Sequence, residues 1–237
     1  MADRSGETIA RHYENARDRI VGLVGGIDDQ QALTVVPGTP EWTVHDLLAH
    51  LVAVPSDLAA GKLKGIPSPE QTQTQAQVAQ RRGRGIAALL AEWDQGVGPI
   101  LEATRAGMIP APLAVDAITH EQDMRGALGA PNVPDPDAVT WAASGFALGL
   151  GFRLGGAGLP PLRLTDPTSG FDITAGDGIA AATVTAPVFE LFRAIAGRRS
   201  QAQVAAYHWD GDSSPYLEAF CVFGPLREQD LYDAPAR

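Results

Sequence analysis

A chain of 237 residues is longer than one ordinary core needs, since domains cluster near roughly 100–150 residues, so two domains are expected. Its 45% hydrophobic and 19% charged residues are those of a globular protein and exclude disordered and fibrous classes. Eighteen basic against 28 acidic residues leave a net charge of −10, which repels phosphate backbones and anionic lipid; no nucleic-acid or membrane partner is expected, and a small molecule is.

The first residues, Met1 to Glu7, mix charges and hold no apolar run, so no secretory signal is read there. Residues 8–24 place Ile9, Tyr13, Ala16, Ile20 and Leu23 at three- and four-residue steps, predicting a helix with His12 at its surface. A second helix begins at Thr43, whose hydroxyl can cap free amides while Asp46 reaches back; Trp42 before it can pack on Leu47, and Gly61 ends the segment. Residues 66–77 read as a polar connection into a third helix, from about Gln71 to Thr104, interrupted near Gly83, Gly85 or Gly96. Its Arg81, Arg82 and Arg84 read as a solvated face. A fourth helix runs from Pro112 to Leu128, with Gly129 as its stop.

The Pro-rich stretch 130–137 is the expected domain boundary, giving domains 1–130 and 137–237. Residues 138–152 form the longest uncharged run, short of the ~20 that span a bilayer, and predict a buried helix. Three short runs follow, 162–166, 171–174 and 181–186, predicting a small antiparallel sheet with helices at 187–196 and about 200–206. His208 falls in an expected loop. The single cysteine, Cys221, allows no internal disulfide and sits in an apolar run as a core filler; a cytoplasmic location follows, with any thiol chemistry using Cys221 or a thiol from outside.

Two acids on the fourth helix do not suit a core face. At about 100° per residue, Leu113, Ala117, Met124 and Leu128 mark the apolar side, and Asp116 and Asp123 fall on the other side of His120. Ionised carboxylates at a core edge need a partner. Asp116 or Asp123 can accept a hydrogen bond from His120, or Asp116 and His120, at i and i+4, can close on a metal. On the second helix His50 lies likewise at the edge of the arc formed by Leu47, Leu51, Val54 and Leu58, flanked by Asp46 and Asp57. Facing seams would assemble His50, Asp116 and His120, three ligands with a position left open, as in catalytic zinc sites. His45, beside the cap, is expected to be exposed. His120-Glu121 lacks the second histidine of HExxH, and nucleotide-binding and serine-hydrolase motifs are absent from the sequence.

The segment Trp42-Thr-Val-x-Asp-Leu-Leu-Ala-His-Leu51 and the later Asp116-x-x-x-His120-x-x-Asp123 resemble the mycothiol-dependent maleylpyruvate isomerase family. So do Arg163-Leu-Thr-Asp166 and Phe192-Arg-Ala-Ile-Ala-Gly-Arg198. The resemblance implies an α+β fold: an N-terminal DinB-like four-helix bundle followed by a small α/β domain similar to sterol-carrier proteins. It implies zinc or another divalent metal on His50, Asp116 and His120, with mycothiol as co-substrate. Asp116 stands where the family commonly has Glu, so either the helices lie closer, a water intervenes, or the site is weaker. Glu121 is a fallback ligand on an unfavourable face, and Asp123 is expected to orient a histidine nitrogen. A carboxylate-bearing substrate would want an arginine, for which Arg198 and Arg199 are the candidates; Arg125 reads as a helix-end or domain-interface residue.

The expected activity is isomerisation or S-transfer on a small electrophilic substrate, with the thiolate as nucleophile. Two alternatives remain at this level. One is a non-enzymatic binding or regulatory protein that has lost the metal. The other is a zinc hydrolase with water in the open position and Asp123, Glu121 or Asp57 as base.

Overall fold

The structure, a computed structural model, describes residues 3–61, 71–131 and 135–233. The chain forms two compact units, Asp3–Asn132 and Val133–Tyr232. The expected boundary stretch includes residues 132–134, and the expected polar connection includes 66–70; both lie outside the described residues.

In the first unit, α1 (Gly6–Val24), α3 (Val44–Ala59), α5 (Ile86–Arg105) and α6 (Pro112–Ala127) are the four long helices. Short α2 (Asp29–Ala32) and α4 (Gln71–Ala79) accompany them. α1 and α3 each pack against both α5 and α6, which closes a four-helix bundle, and α4 lies on α3. Trp93 of α5 and Tyr13 of α1 fill its centre, where the indole Nε1 donates to the Tyr13 hydroxyl at 2.7 Å and so satisfies two buried polar groups together. The start of α3 is fixed by the expected capping box: the Thr43 hydroxyl accepts from the Asp46 amide, and the Asp46 carboxylate accepts from the Thr43 amide.

The third helical segment is interrupted at Gly83 and Gly85, as expected, into α4 and α5; Gly96 stays helical, where it lets α5 approach the Ser56 backbone of α3. Two expectations need correction here. His12 is buried rather than exposed, because α1 is covered by two neighbouring helices and its buried arc is wider than one apolar stripe. Arg81 is also buried, donating to Asp57 at 3.2 Å, Glu92 at 2.7 Å and the Gln77 carbonyl at 3.1 Å. The solvated face describes Arg82, whose side chain is 61% exposed.

The second unit opens with α7 (Pro136–Gly156), capped by the Asp135 carboxylate. Strands β1 (Leu162–Asp166), β2 (Phe171–Ala175), β3 (Ala182–Thr185) and β4 (His208–Asp210) form one sheet in the order β2-β1-β3-β4. The sheet is mixed, not antiparallel. β2 returns beside β1, and β3 reverses again on the far side of β1, so Leu162 to Thr165 pair in parallel with Ala182 to Thr185. His208, expected in a loop, opens β4 opposite Thr185, in a strand too short for an alternating pattern to reveal. Helices α8 (Val188–Ile195), α9 (Gln201–Ala205) and α10 (Ser214–Leu217) complete the unit.

Buried Asp166 ends β1 and accepts from the Val188 amide at 2.9 Å, so one carboxylate closes the strand and starts α8. α7 packs on α8 and β2, and at Gly151 it comes so close to the Gly176 backbone that no Cβ would fit. None of the described helices is long and apolar enough to cross a membrane.

Candidate metal centre

α3 and α6 pack against each other, and their facing edges bring His50, Asp116 and His120 together. His50 Nε2 lies 3.1 Å from Asp116 Oδ2, and His120 Nε2 lies 3.3 Å from Asp116 Oδ1. One ligand atom from each residue lies within 4.8 Å of the other two. Metal–ligand bonds of about 2.0–2.1 Å at tetrahedral angles separate neighbouring ligand atoms by about 3.3 Å, so the donor set and its spacing fit one divalent ion. Both imidazoles are buried, while the Asp116 side chain is 37% exposed, which leaves the cluster accessible from one side. Short as the aspartate side chain is, its carboxylate touches both rings.

Asp123 orients one of them. Its Oδ2 lies 2.9 Å from His120 Nδ1, and the carboxylate is buried. Nδ1–H donates to Asp123, which turns Nε2 toward Asp116. Burial pushes the Asp116 carboxyl up, but the charges of His120 and then His50, with their hydrogen bonds, outweigh this and hold it well below the usual carboxylate range. Burial pulls the His120 imidazole down, and the charge of Asp116, with bonds from Asp116 and Asp123, more than reverses this and raises it. A carboxylate gripped by two imidazoles is thus an ionic centre in which a divalent ion can replace protons.

The other candidates are engaged elsewhere. Glu121 is completely buried and accepts from Arg19 Nε at 2.9 Å and Arg125 Nε at 3.0 Å, a clamp between α1 and α6. Arg125, read as a helix-end or interface residue, belongs to this clamp and also donates to the Pro131 carbonyl. Asp57 accepts from Gln77 at 2.8 Å and from Arg81. Half-buried His45 places its ring nitrogen 2.6 Å from the Arg84 carbonyl oxygen. In the second unit Arg199 forms a two-pronged ion pair with Glu190 at 2.6 and 2.8 Å, while buried Arg198 donates to the Ala196 carbonyl at 2.6 Å. Cys221 is buried as expected.

Sequence reasoning missed one neighbour of the cluster. The ring of Trp42, expected to lie on Leu47, is centred 5.1 Å from His50 and 6.5 Å from His120. The signal was its place just before a helix cap, since that position leans over the first turns of the helix it precedes.

Residues 13–115 match the family model described as the mycothiol maleylpyruvate isomerase N-terminal domain, a span that includes His50 and stops one residue before Asp116. No curated protein sequence matches the chain. Among solved structures, a mutant mycothiol-dependent maleylpyruvate isomerase shares 15% identity, with 86% of this chain and 92% of that one covered and a TM-score of 0.59. A second crystal structure of the mycothiol-dependent maleylpyruvate isomerase gives 16%, 81%, 89% and 0.55 for the same quantities. Those likenesses establish the fold as a helical bundle followed by a unit with a small mixed sheet. At residues 13–115 the chain is similar to the N-terminal domain of mycothiol maleylpyruvate isomerases.

Proposed function

We propose that the protein is a divalent-metal-dependent enzyme that uses a low-molecular-weight thiol, mycothiol, as nucleophile for isomerisation or S-transfer on a small electrophilic substrate. The observation that carries this reading is the convergence of His50, Asp116 and His120 within 4.8 Å of one another. Two imidazoles and a carboxylate, accessible from one side, suit zinc with a position left for a further ligand. Such an ion would supply the Lewis acidity that holds a thiol as its nucleophilic thiolate.

The chain's own residues do the positioning. Asp123 keeps the His120 Nδ1 proton and so aims Nε2 into the cluster. Asp116, by its charge, draws both imidazoles to one point. The reacting sulfur comes from outside, because Cys221 is packed in a core and its Sγ accepts from the Phe223 amide. Dependence on a reduced thiol fits a cytoplasmic location. Reversible addition of a thiolate to a substrate double bond frees rotation about that bond, and elimination releases the isomer. Arg198 is proposed to take a substrate carboxylate on the strength of its planar guanidinium.

Protein purified without chelator is expected to hold about one equivalent of metal by elemental analysis, and His50→Ala and His120→Ala are each expected to lose it. Isomerisation of maleylpyruvate, the first substrate to assay, is expected only with added mycothiol. Metal-free wild-type protein, or metal retained in both variants, overturns the reading. Turnover that needs metal but no thiol replaces it with hydrolysis on the same ligands.

A further inference from the structure

The two histidines of the cluster are held in different ways. His120 has a carboxylate on Nδ1, the usual device for orienting a metal-ligating imidazole. His50 has none: its Nδ1 is buried and has no hydrogen-bond partner among the described residues. What lies against the His50 ring instead is the indole of Trp42, with centroids 5.1 Å apart and planes tilted by 36°. The His50 and His120 rings meet edge to face at 5.5 Å, so Trp42 and His120 confine His50 from different directions.

Trp42 is itself firmly mounted. Its amide donates to the Thr39 carbonyl and its carbonyl accepts from Val36, each at 2.9 Å. The next residue, Thr43, bridges to Val35 and caps α3. The loop 34–44 and the first turn of α3 thereby form one hydrogen-bonded piece, and the indole projects from it onto a residue in the second turn of the same helix. Apart from the Nε2 contact to Asp116, which leaves rotation about that contact open, the His50 ring keeps its plane only as well as the stacking partner keeps its own, and this partner is pinned on both sides.

We infer that Trp42 is a positioning residue for the metal ligand His50, substituting an aromatic face for the hydrogen bond that His120 receives from Asp123. The inference rests on the metal reading proposed above and deepens it. Loss of the indole frees the His50 ring to turn, so that Nε2 no longer points steadily at Asp116. The flat apolar face also keeps water from the covered side of the imidazole, which preserves its lone pair for the ion.

The test compares wild-type protein with Trp42→Leu, Trp42→Phe and Asp123→Asn by three readouts: Co²⁺ affinity, the visible d–d spectrum of the Co²⁺ protein, and the imidazole ring-proton resonances of the metal-free protein. His50 resonances are assigned by their loss in His50→Ala. Trp42→Leu is expected to weaken Co²⁺ binding about 10–100-fold, the usual effect of removing an outer support of a ligand, and to alter the spectrum. In the metal-free protein it should abolish the ring-current shift of the His50 protons while leaving those of His120 in place. Trp42→Phe, which keeps an aromatic face, should recover most of the affinity and spectrum, and Asp123→Asn should perturb His120 instead. Wild-type affinity and spectrum in Trp42→Leu, or His50 resonances unmoved, overturn the inference, as does equal damage in the Phe and Leu variants. Should wild-type protein bind no Co²⁺ or Zn²⁺, the metal reading falls by itself. The metal-free resonances then decide whether Trp42 holds His50: a shift lost in Trp42→Leu upholds the positioning, and an unchanged one overturns it.

Discussion

The bundle buries two kinds of charged cluster, and the counter-charge separates them. Around Glu121 and around Asp57 and Glu92, every acid is met by a guanidinium: Arg19 and Arg125 for the first, Arg81 and Arg84 for the others. Arginine stays protonated at any physiological pH, so such a group is closed to other cations and ties helices together. Among the described residues Asp116 is met by imidazoles, which unlike guanidiniums can serve as metal ligands once neutral. Buried charge balanced by arginine is built to stay paired, and buried charge balanced by histidine can exchange its partner. α6 carries both kinds on neighbouring faces, Glu121 beside His120, which makes it a place to test the distinction one residue at a time.

The largest effect is expected from Asp116→Ala. It should abolish metal binding, measured by elemental analysis and Zn²⁺ titration, while the metal-free variant stays folded, since the side chain is 37% exposed. Unchanged metal content would break the comparison from the functional side. Glu121→Ala should do the reverse. Removing a fully buried acid strands two guanidiniums, and breaking a buried pair costs up to ~3–5 kcal/mol; because Arg19 and Arg125 are partly exposed and can turn to water, about 2–3 kcal/mol is expected. Metal stoichiometry should be preserved. A denaturant titration decides the first point, and loss of metal without loss of stability would place Glu121 in the wrong class.

Much of this was legible in the sequence because it is periodic or capped. The long helices announce themselves by three- and four-residue spacing, and α3 by Thr43 and Asp46, so the depth of His50 in its helix followed from its cap. The pairing of His50 with Asp116 and His120 followed from asking which polar residues sit at the edges of apolar arcs. Arg81 and His12 were misplaced for a common reason. Projection onto one helix tells which side is apolar, but not how many neighbours cover it, and a helix of a bundle is covered on two sides. α2, β4 and α10 are three or four residues long, too few for any period to register. The parallel pairing of β1 with β3 depends on which side of β1 the third strand enters, a choice that strand composition does not encode. Trp42 was read as part of a helix start and is also part of the site, because side-chain direction across two turns is a tertiary fact.

A smaller effect is expected from Asp123→Asn, which keeps a hydrogen-bond acceptor for His120 but removes its charge; metal affinity should fall about 10–100-fold at unchanged stoichiometry. Acidity sharpens the same point. The depressed Asp116 carboxyl contributes stability that is present above its unfolded value near ~3.9 and lost as pH falls toward the folded one. The raised His120 imidazole contributes stability that is complete below its unfolded value near ~6.5 and lost as pH rises through the folded one. The metal-free cluster is therefore most stabilising between about pH 4 and 6.5 and declines above that. Zinc, which must displace these protons, should raise the melting temperature more as pH climbs from about 5.5 to 7.5. A zinc-induced shift that is flat across this range would mean that the ion binds elsewhere.

The smallest effect should come from Arg82→Ala. Arg82 Nε lies 3.0 Å from Asp46 Oδ1, as close as the pairs that hold the bundle together, yet its side chain is 61% exposed against 6% for Arg81 one residue earlier. Water screens the pair and replaces the lost contact, and Asp46 keeps the Thr43 amide and hydroxyl on its other oxygen, so the cap of α3 survives. A loss of no more than about 0.5 kcal/mol is expected by urea titration, with His50 and its metal undisturbed. Thr43→Ala, which removes the cap itself, should cost about 1 kcal/mol. If Arg82→Ala proves the more damaging of the two, burial is not what gives the arginines of this bundle their weight, and sorting its charges by exposure and counter-ion fails at the position where it should be easiest.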